Sequence, residues 1–333
     1  MAPAPSWLAD PALRRELSRG LDAPVGPAAA GLAAYLARAF GPSAAALVHY
    51  GSHLHGAGPR AESAYDFFVV LDAYRTGYRA LPSALGRSFP VTTAVLLNHV
   101  LPPNVLSMRD GAGAAGALAK CAILSRRDLA RACSAHPRDH FVRARLFQHV
   151  QVAWARDAAT CAEVKDAIVS VRAGTFEWGR PFLPARFDGA NYCRTLLEVS
   201  YRGEVRPESD DHVDAILAAQ REVLVPVYQA LLERLAAAGE LEPDGGGFRD
   251  RRPPGPWSRF LARRFFGWSK ARATMRWAKY MALYDDWLDY VVQKVERRSG
   301  VPVELSPRER RWPFLFLWPK ALRLLSSRAS RRR

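Results

Sequence analysis

No apolar run in this chain approaches the ~20 residues that a membrane-spanning helix needs. The first 20 residues likewise lack an apolar core of signal-peptide length. Cysteine is scarce: Cys121, Cys133, Cys161 and Cys193 stand far apart, with no C-x-x-C pair. That spacing argues against a structural zinc site or a disulfide framework and fits a reducing cytoplasm. Acidic residues run short in one place only. Residues 1–250 carry 27 Lys+Arg against 26 Asp+Glu, whereas residues 251–333 carry 21 against 6. A polyanionic partner is therefore expected at the last quarter of the chain. Internal repeats are missing too, and 333 residues are long for one core, so two or three domains are expected.

What is present centres on residues 44–72, AAALVHYGSHLHGAGPRAESAYDFFVVLD. Ala45 to Tyr50 reads as a strand, Gly51-Ser52 as a break, and Asp66 to Leu71 as a second strand, aromatic and β-branched. A small turn lets backbone N–H groups approach phosphates, and a carboxylate at the mouth of the next strand can hold Mg²⁺ against them. The competing reading is an ordinary hairpin whose Gly and Asp only serve the turn. Asp72 lies six residues beyond Asp66, ~20 Å away along an extended strand, and cannot share an ion with it.

Upstream, residues 10–40 read as two helices split by Asp22 to Gly26 and stopped at Gly41-Pro42. Downstream, Tyr74 to Leu85 has helical spacing, Val91 to Val100 is mixed apolar, and Leu101 to Leu106 is extended by its prolines. Leu118 to Leu124 reads as a strand carrying Lys120, ended by Ser125, with Asp128 completing a helix cap and the helix running through Ala135. Phe141 to Phe147 reads as a helix and His149 to Trp154 as a closing strand; helices come next over 159–171, 191–201 and 210–238, the last stopped by Gly239. His49, His53 and His55 flank the turn; nothing supplies a fourth ligand, so they are expected as solvated loop residues.

Six of the nine tryptophans fall in the basic last quarter. Trp277, Met281, Tyr284, Leu288, Val291 and Val295 form one helical stripe expected to be core, and Ser306-Pro307-Arg308-Glu309 is a helix-start signal. Trp312 to Trp318, among arginines, suits a membrane interface; core packing stands second and nucleic acid third.

Taken in order, these pieces resemble one family, the mitochondrial-type phosphatidate cytidylyltransferases (CDP-diacylglycerol synthases), in a bacterial version. The resemblance rests on Tyr50-Gly51-Ser52, Asp66 to Asp72, Lys120 to Ser125 with Asp128-Leu129, Ala144-Arg145-Leu146, and Ser200 to Arg206, and spans about residues 45–240. His53 departs from the glycine usual after Gly-Ser in the family, and Phe68 stands where broader nucleotidyltransferases carry a second acid. The resemblance implies an α/β, polymerase β-like nucleotidyltransferase fold with a mixed sheet over 1–157. The sequence pattern itself marks a helical domain over 158–243, a Gly/Pro-rich linker over 244–256 and a basic helical, membrane-docking region over 257–333. The implied reaction joins CTP and phosphatidic acid into CDP-diacylglycerol with loss of diphosphate. In it Asp66 holds Mg²⁺, and Tyr50, Gly51 and Ser52 meet the nucleotide. Lys120 and Arg145 neutralise phosphate charge. Glu204 is the first candidate for a second metal ligand and Asp128, more simply a cap, the second. The implied setting is cytoplasmic, peripheral at the anionic inner face of the cell membrane. Two other readings stay open: a nucleotidyltransferase with another acceptor, and a lipid-binding assembly factor without turnover.

Overall fold

The structure, a computed structural model, describes residues 10–56, 64–86, 88–110, 117–202 and 210–283, together with 292, 305, 306, 308 and 309. It is a mixed α/β fold. Five strands, β1 (Ala44–Tyr50), β2 (Tyr65–Leu71), β3 (Asn104–Arg109), β4 (Leu118–Ser125) and β5 (Gln151–Ala155), form one sheet in the order β3-β4-β2-β1-β5. β2 and β4 run parallel, and the other three pairings are antiparallel. The two central strands expected from the sequence thus lie side by side, both buried along most of their length.

Alternation along these strands separates two faces. Val48, Phe68, Val70, Ala122 and Leu124 point into the main core, which they share with α1 (Pro11–Leu17), α8 (Ala158–Ala173), α10 (Gly189–Arg202) and α11 (Asp210–Ala237). The opposite face meets α2 (Pro27–Phe40) and α4 (Tyr74–Leu85), where Gly77 lets the helix approach so closely that a Cβ would lie 2.6 Å from Leu71 Cδ1. The short α3 (Ser52–His55) comes after β1, and α5 (Val91–Val100) turns the mixed apolar segment into a helix.

Local signals behave as their chemistry dictates. Ser125 caps α6 (Arg126–Cys133), its Oγ accepting from Asp128 N–H at 3.1 Å, though the helix stops two residues before the expected Ala135. Asp157 caps α8 through Thr160 N–H at 2.7 Å. α11 ends as its glycine requires: Gly239, at φ +78°, donates to Ala236 O and Glu240 N–H donates to Leu235 O. By length and composition alone, His212–Ala237 is long and apolar enough to cross a membrane, which the chain's apolar runs did not suggest. In the fold this helix buries Leu224, Val227, Tyr228 and Leu231 in the main core.

One compact unit runs through Arg276, past the boundary expected at 157/158, because the helices after β5 and the sheet share one hydrophobic core. The linker expected over 244–256 is, in its first half, a β-hairpin: β6 (Leu241–Asp244) and β7 (Gly247–Asp250). Gly245 and Gly246 both take positive φ, 52° and 87°, as a two-residue hairpin turn demands. Arg180 grips Asp250 with Nε at 2.6 Å and Nη2 at 2.5 Å, and Phe187 bridges Phe248, so the hairpin is fastened to the fold. α12 (Pro256–Leu283) comes next. Its seat is ionic: Asp139 Oδ2 accepts from Arg272 Nε at 2.7 Å and Arg276 Nη2 at 2.6 Å.

In the second unit, residues 277–333, the expected helix start at Ser306 is a reciprocal capping box. Ser306 N–H donates to Glu309 Oε2 at 2.8 Å, and Glu309 N–H to Ser306 Oγ at 3.3 Å. The side chains of the Trp277 to Val295 stripe and the Trp312 to Trp318 segment lie outside the described residues.

Candidate active site

Strand register builds the site. Tyr50 pairs with Asp66 across the antiparallel β1–β2 ladder, Asp66 with Lys120 across the parallel β2–β4 ladder, and Lys120 with Ser107 across β3–β4. Paired residues share a face, so phenol, carboxylate, ammonium and hydroxyl stand in one row at the edge of the main-core face. The next row inward is Val48, Phe68, Ala122 and Val105, which is apolar. The polar row therefore marks where the core ends and solvent begins.

Asp66 points at the turn. Gly51 has φ +90° and ψ −169°, a conformation that side chains disfavour, and a Cβ there would lie 2.7 Å from Asp66 Oδ2. The carboxylate thus fills the space that glycine leaves open. Its other oxygen, Oδ1, lies 4.0 Å from Lys120 Nζ. The Asp66 side chain is 25% exposed and that of Lys120 53%, so both are accessible from solvent. Tyr50 is buried and stacks on Phe68 at 4.6 Å, with its ring forming the floor of the row. Ser52 is half-buried at the start of α3.

Among the described residues, no group of three or more His, Cys, Asp and Glu side chains stands ready to hold a metal. The donor set at Asp66 still suits Mg²⁺, which retains water and binds through one or two carboxylates plus substrate phosphates. Gly51→Ala is expected to press a methyl group into the Asp66 carboxylate and to destabilise the turn by about 1–3 kcal/mol. Thermal melting of the variant beside wild type measures the effect.

The other residues expected at the site have the following surroundings where the structure describes them. Arg145, on α7 (Arg143–Leu146), donates Nη1–H to Phe141 O at 2.8 Å and lies 4.0 Å over the Phe141 ring. Arg276 lies over the same ring at 4.7 Å. Asp128 stands in the first turn of the helix that Ser125 caps, but its own carboxylate caps no backbone N–H: Oδ2 accepts from Tyr74 O–H at 2.6 Å and Ser125 Oγ–H at 2.9 Å, and Ser125 N–H donates to Tyr74 Oη at 2.9 Å. Ser125 is five residues along β4 from Lys120, roughly 16 Å, so Asp128 cannot complete a site at Asp66. Asp72 is ion-paired with Arg156 and Arg126, whose bonds hold its carboxyl below the usual range. Glu204 lies outside the described residues.

Of the three turn histidines, His49 is buried and His53 and His55 are half-buried, less exposed than the sequence suggested. His49 is buried on the other sheet face, its ring 5.1 Å from Phe67, and His53 stacks on Tyr65 at 3.9 Å. His55 sits 5.7 Å from His149, which precedes β5. Burial pushes His49 and His149 down to about 4 and His55 to about 3. His140, buried against Trp178 and bonded to Ser200 Oγ, is also pushed to about 3 by burial. These groups stay neutral in the fold while the unfolded chain protonates near pH 6.5. Stability is therefore complete above pH 6.5 and is lost as pH falls towards 4. Buried His49 alone is expected to cost about 2 kcal/mol between pH 7 and pH 5, read as a lower urea midpoint at pH 5.

Sequence reasoning missed Ser107 and the His53–Tyr65 stack. Ser107 carried no local signal; only the β3–β4 register brings it beside Lys120. No family model matches the chain, and no curated protein matches it.

Proposed function

We propose that this chain is a Mg²⁺-dependent nucleotidyltransferase, and that its reaction is cytidylyl transfer from CTP to phosphatidic acid. The observation that carries the reading is the Asp66 carboxylate, seated against Gly51 on one side and beside Lys120 on the other, at an accessible strand mouth. The choice of CTP and phosphatidate rests on the sequence resemblance.

The chemistry asks little acid–base help, because a phosphate monoester is already an anion and attacks the α-phosphorus directly. The protein must position two anions and neutralise their charge. Asp66 would hold Mg²⁺, which when bound supplies charge neutralisation at the triphosphate. Gly51 offers backbone where a side chain would block approach, and Ser52 a hydroxyl. Lys120 meets phosphate as a point charge.

A lipid acceptor calls for a lipid surface, and the described part of α12 supports one. Residues 256–283 contain no Asp or Glu, whereas Arg259, Arg263, Arg264 and Lys270 line their exposed stretch. Trp257, Phe260, Leu261, Trp268 and Met275 are all more than two-fifths exposed beside them. Exposed tryptophan among basic residues suits an anionic headgroup layer, each cation contributing on the order of 1 kcal/mol there. We place the protein peripherally at the inner face of the cell membrane.

The test is direct. Purified chain with α-labelled CTP, Mg²⁺ and phosphatidate-containing vesicles is expected to move label into lipid as CDP-diacylglycerol, and excess EDTA to stop it. Label that stays water-soluble at every Mg²⁺ concentration refutes the reaction. Transfer from ATP or GTP, or to another acceptor, supports the wider nucleotidyltransferase reading instead. Vesicle binding with no affinity for Mg²⁺–nucleotide supports a lipid-binding assembly factor, the reading that Phe68 and His53 favour.

A further inference from the structure

We infer that Lys120 takes the seat of a second cation beside Asp66, so that the site works with one divalent ion and one ammonium. The inference rests on the nucleotidyl-transfer reading and specifies its charge arrangement. Sites for this class of transfer commonly use two divalent ions to clamp the attacking and leaving oxygens, with carboxylates bridging them. A second ion needs a second carboxylate near the first. Among the described residues of the row, the in-register neighbour of Asp66 on the parallel strand β4 is Lys120, and the other members, Tyr50 and Ser107, carry hydroxyls.

The two oxygens of Asp66 are already divided. Oδ2 packs against Gly51, and Oδ1 lies 4.0 Å from Lys120 Nζ. With the ammonium on the Oδ1 side, a second divalent ion placed there would meet a like charge at close range, so the carboxylate takes one ion and Lys120 stands for the other. Half-exposed on its long stem, the ammonium reaches outward from the row to a bound phosphate. In the transfer, one P–O bond forms between the acceptor's phosphate oxygen and the α-phosphorus. The α–β P–O bond breaks and diphosphate leaves. Lys120 keeps its three protons throughout and supplies charge alone.

The experiment counts ions. The full chain is titrated with Mn²⁺ in the presence of α,β-methylene-CTP, and bound Mn²⁺ is tracked by electron paramagnetic resonance. One Mn²⁺ per wild-type chain is expected. Lys120→Met is expected to bind the nucleotide at least tenfold more weakly and Lys120→Arg within about threefold of wild type, with unchanged melting curves. Lys120→Asp is expected to raise the count to two. Two Mn²⁺ per wild-type chain, or undiminished nucleotide affinity in Lys120→Met, overturns the inference while leaving nucleotidyl transfer standing. A wild-type chain that binds neither Mn²⁺ nor the analogue overturns both.

Discussion

An Asp66→Asn chain is expected to transfer nucleotide at least ~1,000-fold more slowly than wild type at saturating Mg²⁺, a loss of about 4 kcal/mol of transition-state stabilisation. The substitution is nearly isosteric. It leaves the Gly51 turn filled and exchanges an anionic oxygen for an amide that holds a divalent ion poorly. The fold should not register the change. Asp66 is partly exposed, its partner Lys120 is half-exposed, and the 4.0 Å separation of the pair contributes less than about 1 kcal/mol. Melting within ~2 °C of wild type, together with lost activity, is the expected pattern. A variant that retains more than a tenth of the wild-type rate would remove Asp66 from the chemistry. One that loses both activity and folding would make the carboxylate a structural partner of the turn.

Strands β1, β2 and β4 were legible because each is short, apolar and bounded by residues that stop it, whereas β3 read only as an extended, proline-fixed piece. Gly51 needs a positive φ, Ser125 ends β4 and caps α6, and the run from Phe67 to Leu71 suits only a buried strand. Pairing was not legible. Asp66 and Lys120 are 54 positions apart, and only the parallel register of β2 and β4 sets them side by side. The same non-locality hid Ser107 and the stacking of Arg145 over Phe141 beside Arg276. Asp244 to Gly247 looked like a linker because its glycines are flexible in isolation. Fastened by Arg180 and Phe187, the same glycines make a tight hairpin turn. The histidines near Gly51 were misread as solvated because exposure depends on the facing elements, here Phe67, Tyr65 and His149.

Replacing Arg172 with methionine should destabilise the first unit by ~3 kcal/mol and lower its melting temperature by roughly 6–12 °C. Arg172 is fully buried in α8, where sequence periodicity marks nothing unusual. Its Nη1 donates to Leu17 O at 2.7 Å and Arg19 O at 2.8 Å, and Nη2 donates to Gln148 O at 3.0 Å. Two of these acceptors lie at the C-terminal end of α1, where a cation also suits the helix dipole. The third lies in the connection from α7 to β5, which Gln220 holds through Gln148 Oε1 and His149 N–H. Burial works against the charge, pushing the guanidinium down to about 10, so methionine recovers part of that cost. It also leaves three carbonyls without donors in a dry interior, and that loss is the larger. Lysine keeps the charge but not the fork that spans both segments, so Arg172→Lys should fall between methionine and wild type. Because His149 enters β5 from this connection and meets His55 beside the Gly51 turn, the variant should also weaken nucleotide binding at temperatures where it remains folded. Urea melts joined to titration at 10 °C separate the two effects, and an Arg172→Met chain as stable as wild type would show that α1 needs no such tie.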